Sequence, residues 1–320
     1  MDTKQPKGKT LDILISMVLV ARPVHWVKNV SVFAALIFSG TLFIPFYLKE
    51  SAFAFVAFCL ASSSAYIFND IIDRNKDKLH PFKKNRPIAS GKLPIDIALS
   101  ESLALASLAV VFSFRLDDIF TLIIVFYLVL QVLYSLWLKN LAVIDILVIA
   151  TGFILRVYGG AFAINAHLSV WFLLCVISVS LFLASGKRRA ELNITEGKEA
   201  KTRSSLSNYQ RELLNSYVTM FGNAAWMSWS LFSFFESPKA SMPLWVFLAE
   251  ISKTITVNKL LMTTIPVVIF GIMRYQSLIF AGKTERPEKL ILTDTALVVA
   301  VLIWTVMVIW ILYSGAAVWI

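Results

Sequence analysis

The apolar residues of this chain fall into nine long runs separated by short polar segments. Each run approaches or exceeds the roughly 18–20 residues that a helix needs to cross the hydrocarbon of a bilayer. The sequence therefore predicts an all-α, polytopic membrane protein, a bundle of about nine transmembrane helices. The predicted spans are 30–48, 51–69, 95–115, 118–138, 142–164, 168–186, 215–235, 255–275 and 293–313.

A shorter apolar run precedes the first predicted span, at residues 11–21. Three lysines come before it, as in a signal peptide, but no small-x-small cleavage site follows and Arg22-Pro23 ends the run. About eleven residues are too few to cross a membrane. We therefore expect residues 1–29 to form a cytoplasmic segment with an interfacial helix. Residues 30–320 would form one transmembrane domain.

The basic residues are concentrated on one side of this predicted bundle. Of the 30 Lys and Arg residues, 24 fall on the side of the N-terminus and four on the other side. Because cytoplasmic loops carry the excess of Lys and Arg, we place the N-terminus in the cytoplasm of a cell with this protein in its inner or plasma membrane. Both long charged loops, 69–94 and 187–214, are then cytoplasmic.

The composition agrees with a membrane protein and excludes several other classes. The chain is 58% hydrophobic, with a mean hydropathy of +0.74, which is far above a soluble domain of 320 residues. The net charge of +10 lies in short loops between apolar runs, so we predict contact with membrane lipid and no nucleic-acid partner. Cys59 and Cys175 both lie in apolar runs and form no disulfide framework or metal site.

The strongest chemical signal is an acidic motif directly after the second predicted span. Asn69, Asp70, Asp73 and Asp77 are three and four residues apart, which places their oxygens on one helix face. Mg²⁺ prefers oxygen ligands and commonly bridges to substrate phosphates. These four residues are therefore predicted metal ligands, with the three aspartates as the catalytic carboxylates.

Cations follow this motif within the same predicted loop. We predict that Lys83 and Arg86 contact phosphate, because both ammonium and guanidinium groups bind phosphate oxygens. For Lys84 the positive-inside rule explains the charge equally well. His80 precedes a proline, and such a histidine more often hydrogen-bonds the backbone of its turn than acts as a base.

A second group of polar residues lies at the fifth predicted span. Arg156 sits mid-run, where an unpaired charge costs at least about 2.5 kcal/mol, so it must face a partner or a polar cavity. Asp145 is on a compatible face of the same helix, which leaves a structural ion pair open beside a phosphate-lined cavity. We favour the cavity and count Tyr134, Lys139, Asp145 and Arg156 as predicted substrate-binding residues.

A third group lies at the end of the sixth predicted span. Lys187, Arg188 and Glu191 follow directly on the apolar run, and we predict that they also bind substrate. Lys187 and Glu191 are spaced i, i+4, so a surface ion pair worth a few tenths of a kcal/mol is the alternative.

The motif NDxxDxxxD after the second span, the nine spans and the second charged loop resemble the UbiA superfamily of intramembrane prenyltransferases. Within it, the chain is most similar to the branch of decaprenyl-phosphate phosphoribosyltransferases. The stretches that carry this closer match are RPVHWVKN at 22–29, NDIIDRNKDKLHPFKKNRPIASG at 69–91, YSLWLKNLAVIDILVIATGFILR at 134–156 and LFLASGKRRAEL at 181–192. Other members of the superfamily carry a second Asp-rich motif where this chain has KRRAEL.

The resemblance implies transfer of a phosphoribosyl group from phosphoribosyl diphosphate to a polyprenyl phosphate, with Mg²⁺ as cofactor. It implies that Asp70, Asp73 and Asp77 hold the metal. Basic residues would bind the two phosphates: Lys28, Lys83 and Arg86 for the leaving diphosphate, and Lys139, Arg156, Lys187 and Arg188 for the second phosphate. A conventional prenyltransferase with an aromatic acceptor is the alternative, and a transporter or scaffold is disfavoured because few charges lie inside the spans. A homo-oligomer is left open.

Overall fold

The computed structural model describes residues 7–80, 83–195, 209–236, 257–281 and 293–313, and their regular structure is helical. Short 3₁₀ helices at Pro23–Phe33, Lys83–Asn85, Leu138–Asn140 and Val257–Thr264 link the α-helices. The α-helices are α1 (Lys7–Ala21), α2 (Ala34–Phe38), α3 (Pro45–Ile72), α4 (Arg74–Leu79), α5 (Ile95–Ser113), α6 (Asp118–Leu136), α7 (Ile144–Ala163), α8 (Val170–Thr195), α9 (Arg211–Phe235), α10 (Ile265–Phe280) and α11 (Thr295–Tyr313).

The described residues contain eight helical segments that are long and apolar enough to cross a membrane. They correspond to every predicted span except the seventh, where the 25-residue helix α9 lies instead and packs along α8. The predicted fold class is thus confirmed, with α9 as a more polar ninth long helix. The eight segments are Leu11–Phe38, Pro45–Ile72, Ile95–Ser113, Asp118–Leu136, Ile144–Ala163, Val170–Leu192, Leu260–Phe280 and Thr295–Tyr313.

The boundary between the first two spans was predicted too late in the chain. The sequence placed the first span at 30–48, whereas the chain turns at Gly40, which has a φ of 79°, and α3 begins at Pro45. Glycine takes this left-handed conformation without steric cost, and proline is favoured in the first turn of a helix. The first apolar helical segment is therefore Leu11–Phe38, in which Arg22 separates α1 from the 3₁₀ helix Pro23–Phe33 without ending the segment.

Helix α3 lies at the centre of the half of the bundle that carries the acidic motif. Its buried face is rich in small residues, among them Ala54, Ala57 and Ala61, and it packs against α5, α6 and the 3₁₀ helix Pro23–Phe33. Small residues allow helix backbones to approach closely in a membrane. Gly160 of α7 shows the same effect, since a Cβ there would lie 1.9 Å from the carbonyl oxygen of Val32.

Large apolar side chains cover the outer faces of several spans. Leu103 of α5, Leu122 of α6 and Val306 of α11 are each more than 60% exposed. In a soluble protein such continuous exposure would be unusual, whereas lipid is the natural environment for it. The chain is a multi-pass membrane protein.

Helix α8 extends beyond the sixth predicted span, which was expected to end at residue 186. It continues to Thr195, so that the first nine residues of the predicted loop 187–214 are helical. The side chains of Arg188 and Arg189 are therefore buried against neighbouring helices rather than placed on a surface loop. The predicted loop positions 196–208 lie outside the described residues.

Candidate functional site

The acidic motif lies where α3 passes into α4. Asn69 and Asp70 belong to the last turn of α3, Asp73 is the residue between the two helices, and Asp77 lies in α4. The helical hydrogen bonds continue through this junction, from the Asp73 N–H to the Asn69 carbonyl at 2.9 Å and from the Asp77 N–H to the Asp73 carbonyl at 2.8 Å. The chain thus carries the carboxylates past the end of the apolar span, as the sequence predicted.

Arg86 joins two of these carboxylates. Its Nη1 atom donates to Asp70 Oδ1 at 2.9 Å and to Asp77 Oδ2 at 2.6 Å. Both aspartates are buried, with 2% and 4% of their surface exposed. Burial raises the pKa of Asp77 above its usual value, against the opposing effect of the Arg86 and Lys83 charges. The loop that follows α4 therefore folds back onto the acidic motif.

Lys139 joins the other two members of the motif. Its Nζ atom contacts Asp73 Oδ1 at 2.7 Å and Asn69 Oδ1 at 3.1 Å, while the Asn69 amide donates to Asp73 Oδ2 at 3.2 Å. Lys139 is itself buried and lies in the turn between α6 and α7. The sequence predicted Lys139 as a substrate-binding residue but gave no indication of this contact with the acidic motif.

Arg22 is a member of this site that the sequence reasoning missed. Its Nη2 atom contacts both carboxylate oxygens of Asp70, at 2.5 and 2.7 Å, and its guanidinium lies 5.2 Å from the ring centre of Tyr66. The Trp26 indole donates to Ser63 Oγ at 3.0 Å, one helical turn before Tyr66. The stretch RPVHWVKN thus lies along one face of α3. Its resemblance to relatives was the available signal, but Arg22 was interpreted only as a helix stop.

The donor set of this site fits Mg²⁺. Three carboxylates and one amide carbonyl are the hard oxygen ligands that this ion requires. Among the described residues no group of three or more His, Cys, Asp or Glu side chains converges tightly enough to hold a metal as it stands. The reason is visible at Arg86, whose Nη1 lies between Asp70 and Asp77, where a cation bridging the two carboxylates would be placed.

A second charged cluster lies at the cytoplasmic end of α8 in the predicted topology. Arg188 is fully buried, donates from Nη2 to the Tyr134 hydroxyl at 2.7 Å and pairs with Glu191. Its Nε lies 2.6 Å from Asp145 Oδ2, in an ion pair whose N–H direction does not satisfy a hydrogen bond. Four of the predicted substrate-binding residues thus contact one another here. Lys187, by contrast, makes no ion pair with Glu191 in the described residues.

Tyr209 completes the second cluster and was not predicted. Its hydroxyl donates to Asp145 Oδ1 at 2.7 Å and accepts from the backbone N–H of Val143 at 2.5 Å. Val143 has a φ of 69°, which is rare for a β-branched residue. Burial and the hydrogen bond to Asp145 raise the pKa of Tyr209, so it remains a neutral donor. Tyr209 therefore ties the segment before α9 to the turn before α7.

Arg156 does not pair with Asp145, so the alternative of a structural ion pair between them is wrong, and the favoured phosphate-binding role of Arg156 stays a prediction. Its three nitrogens donate to Asn29 Oδ1 at 2.6 Å, the Gly152 carbonyl at 2.5 Å and the Tyr127 hydroxyl at 2.9 Å. The Tyr127 ring also lies 5.0 Å from the guanidinium. The helix-wheel argument compared positions on α7 alone, whereas the nearer partners come from the 3₁₀ helix before α2 and from α6. The buried charge is thus satisfied inside the bundle.

The three remaining predicted substrate-binding residues are lysines. Lys28, Lys83 and Lys187 are half-buried, and Lys83 is close enough to Asp77 for its charge to affect that carboxyl. His80 accepts a hydrogen bond at Nδ1 from the Lys83 backbone N–H at 3.3 Å. This is the backbone role that is usual for a histidine in such a turn.

Known proteins show the same sequence pattern over most of this chain. The decaprenyl-phosphate phosphoribosyltransferase of Corynebacterium glutamicum is 35% identical over 97% of this chain and 90% of its own length. The decaprenyl-phosphate phosphoribosyltransferase of Mycolicibacterium smegmatis is 34% identical over 93% of this chain and 92% of its own.

A solved structure of a UbiA homolog from Archaeoglobus fulgidus bound to GPP and Mg²⁺ has the same fold. It has a TM-score of 0.64 at 13% identity and covers 94% of this chain and 99% of its own. The sequence profile of the UbiA prenyltransferase family matches residues 29–252, which include the acidic motif and the second charged cluster. With this match and the identity to full-length relatives, the chain belongs to the UbiA prenyltransferase family.

Proposed function

We propose that this chain transfers a 5-phosphoribosyl group from phosphoribosyl diphosphate to a polyprenyl phosphate, such as decaprenyl phosphate, and releases diphosphate. The observation that carries the proposal is the shared name of the two bacterial relatives, each of which matches more than nine-tenths of the chain. The basic end of α8 supports it, because Arg188 lies there in place of a second pair of metal-binding carboxylates.

In the reaction, the bond from ribose C1 to the diphosphate oxygen breaks, and a bond from C1 to an oxygen of the lipid phosphate forms. Asn69, Asp70, Asp73 and Asp77 would hold Mg²⁺, which supplies charge neutralisation for the leaving diphosphate when bound. Arg86 and Lys83 lie beside the carboxylates, where they would stabilise the same leaving group.

The lipid phosphate is already an anion at neutral pH, so its attack needs no strong general base. This agrees with the role of His80, which is engaged with backbone. Lys28 and Lys187 are half-buried and are our candidates for orienting the two substrates. Arg156 and Arg188 are enclosed by protein partners, so each would have to leave them before binding a phosphate.

Separate feeding of two labelled donors tests the proposal. Purified protein in detergent with polyprenyl phosphate and Mg²⁺ is expected to transfer label from phosphoribosyl diphosphate into lipid. Asp73→Ala should abolish the transfer, and Lys84→Gln, which alters an exposed lysine of the same loop, should leave it unchanged. Entry of label only from a prenyl diphosphate into an aromatic acceptor would overturn the phosphoribosyl assignment in favour of a conventional prenyltransferase.

We also propose that both charged clusters face the cytoplasm across the inner or plasma membrane, because 24 of the 30 basic residues lie on their side. Both native cysteines are buried, so introduced cysteines can be labelled selectively. Lys49→Cys and Lys84→Cys replace exposed residues at opposite ends of the bundle. In intact cells an impermeant thiol reagent should label the first and spare the second, and the reverse pattern would invert the topology.

A further inference from the structure

Protein cations hold the positions between the oxygen ligands of the acidic motif. Arg86 Nη1 lies between Asp70 and Asp77, and Lys139 Nζ lies between Asn69 and Asp73. Arg22 contacts both oxygens of Asp70 as well. Three carboxylates are therefore matched by three fixed positive charges, and each residue proposed to bind metal already has an oxygen engaged by one of them.

A free divalent cation would have to compete with these side chains for the same oxygens. Mg²⁺ binds carboxylate oxygens directly, at about 2.0–2.1 Å, so an ion that bridged Asp70 and Asp77 would need the position that Arg86 Nη1 now holds. The displaced cations remain attached to the protein beside the site. Lys139 is only 2% exposed, and removing a buried ammonium from its carboxylate is strongly unfavourable.

A diphosphate group removes this penalty. Its oxygens accept hydrogen bonds from guanidinium and ammonium groups and balance their charge. A short movement of Arg86 and Lys139 from carboxylate to phosphate would vacate the carboxylate oxygens for the metal and pair both side chains again. Bound diphosphate thus raises the affinity of the site for the metal, and bound metal raises its affinity for diphosphate by the same factor.

We propose that this site binds Mg²⁺ and a diphosphate only together, with Arg86 and Lys139 as exchange groups that exclude the free metal. The ligand is then the magnesium–diphosphate complex of the donor rather than Mg²⁺ followed by donor. The inference rests on the proposed function for the presence of a diphosphate in the reaction. It gives Arg86 and Lys139 a role besides phosphate binding, which is to exclude free Mg²⁺ from the empty site.

Calorimetric titration of the purified full-length protein in detergent tests the proposal, with Mg²⁺ alone and with inorganic diphosphate plus Mg²⁺ as probes. Lys139→Gln should bind Mg²⁺ alone about tenfold more tightly than wild type, within the usual range of coupling between two sites. The same variant should bind magnesium diphosphate about tenfold more weakly. This opposite change is what distinguishes an exchange group from an ordinary ligand.

Two further variants control for misfolding and for the effect of net charge. Arg86 is about one-quarter exposed, so Arg86→Gln should fold even where the Lys139 variant does not, and it should show the same pair of changes. Lys84→Gln removes the same charge from the same loop without altering a contact to a carboxylate in the described residues, and both affinities should stay within about twofold of wild type.

Mg²⁺ binding that is equal in wild type and both exchange variants, or weaker in the variants, would overturn the inference. A gain in Lys84→Gln equal to that in the exchange variants would also overturn it, because net charge alone would then explain the gain. The probes contain no ribose. Loss of phosphoribosyl transfer with these affinity changes intact would therefore refute the proposed donor alone, and normal transfer without them would refute this inference alone.

Discussion

Replacement of Arg22 by glutamine should loosen the N-terminal segment from α3. Arg22 makes two short hydrogen bonds to Asp70 and lies over the Tyr66 ring. Hydrogen bonds to charged groups contribute about 1.5–3 kcal/mol, but about one-fifth of the Arg22 side chain is exposed and Asp70 keeps its contact with Arg86. We therefore expect a loss of about 2 kcal/mol in the free energy that holds this segment in place, or a roughly 30-fold larger open population.

Hydrogen exchange of the amides in Pro23–Phe33 measures this opening directly. Exchange in Arg22→Gln should be about 30-fold faster than in wild type, whereas exchange in α9, to which Arg22 makes none of its hydrogen bonds in the described residues, should be unchanged. Tyr66→Phe is the matched control, because it keeps the aromatic face and the carboxylate contact. Equal exchange in Arg22→Gln and wild type would refute the reasoning, as would an acceleration in Tyr66→Phe as large as that in Arg22→Gln.

Three further perturbations test other parts of the site. Because the folded-state pKa of Asp77 is raised, its contribution to stability is complete below the ordinary carboxyl pKa and is lost as pH rises through the raised value. The melting temperature of wild type should therefore rise relative to that of Asp77→Asn as the pH is lowered from about pH 8 to about pH 4. The absence of this relative rise would show that burial does not raise the pKa of Asp77. Tyr209→Phe should lower the free energy of unfolding by about 1.5–3 kcal/mol through the lost hydrogen bond to Asp145, and an unchanged denaturation midpoint would contradict this. Arg156→Leu should lower the free energy of unfolding by about 2–4 kcal/mol, because it leaves two buried polar partners unsatisfied; a raised KM for either substrate at an unchanged melting temperature would instead support its predicted role in binding the second phosphate.

The local parts of this structure were predictable from the sequence, because they depend on runs and spacings within one element. The apolar runs gave the spans, and the spacing of Asn69 to Asp77 gave the acidic motif at the end of α3. Arg86 comes only nine residues after Asp77, so its return to the carboxylates follows from a short loop. In each case the relevant distance along the chain is small.

The contacts between distant segments were not predictable in the same way. Lys139 follows Asp73 by 66 residues, and the pair forms only because α6 packs beside α3. Arg22 was missed because it precedes Pro23, and an Arg-Pro pair is typical of a helix end. Its φ of 53° and its contact with Asp70 are properties of the folded chain that the local sequence does not indicate. Arg156 needed a partner, but a single sequence does not tell which neighbouring helix supplies one.

The turn between α6 and α7 links the two charged clusters in the structure. Lys139, on one side of this turn, is bound to Asp73 at the end of α3, and Asp145, on the other, is bound to Arg188 at the end of α8. The turn also contains the strained residue Val143, whose N–H is held by Tyr209. Because strain persists only where surrounding contacts impose it, the second cluster fixes the conformation of the segment that presents Lys139 to the first. A change at Asp145 would thus reach the carboxylates that we propose as metal ligands, by altering where Lys139 can lie.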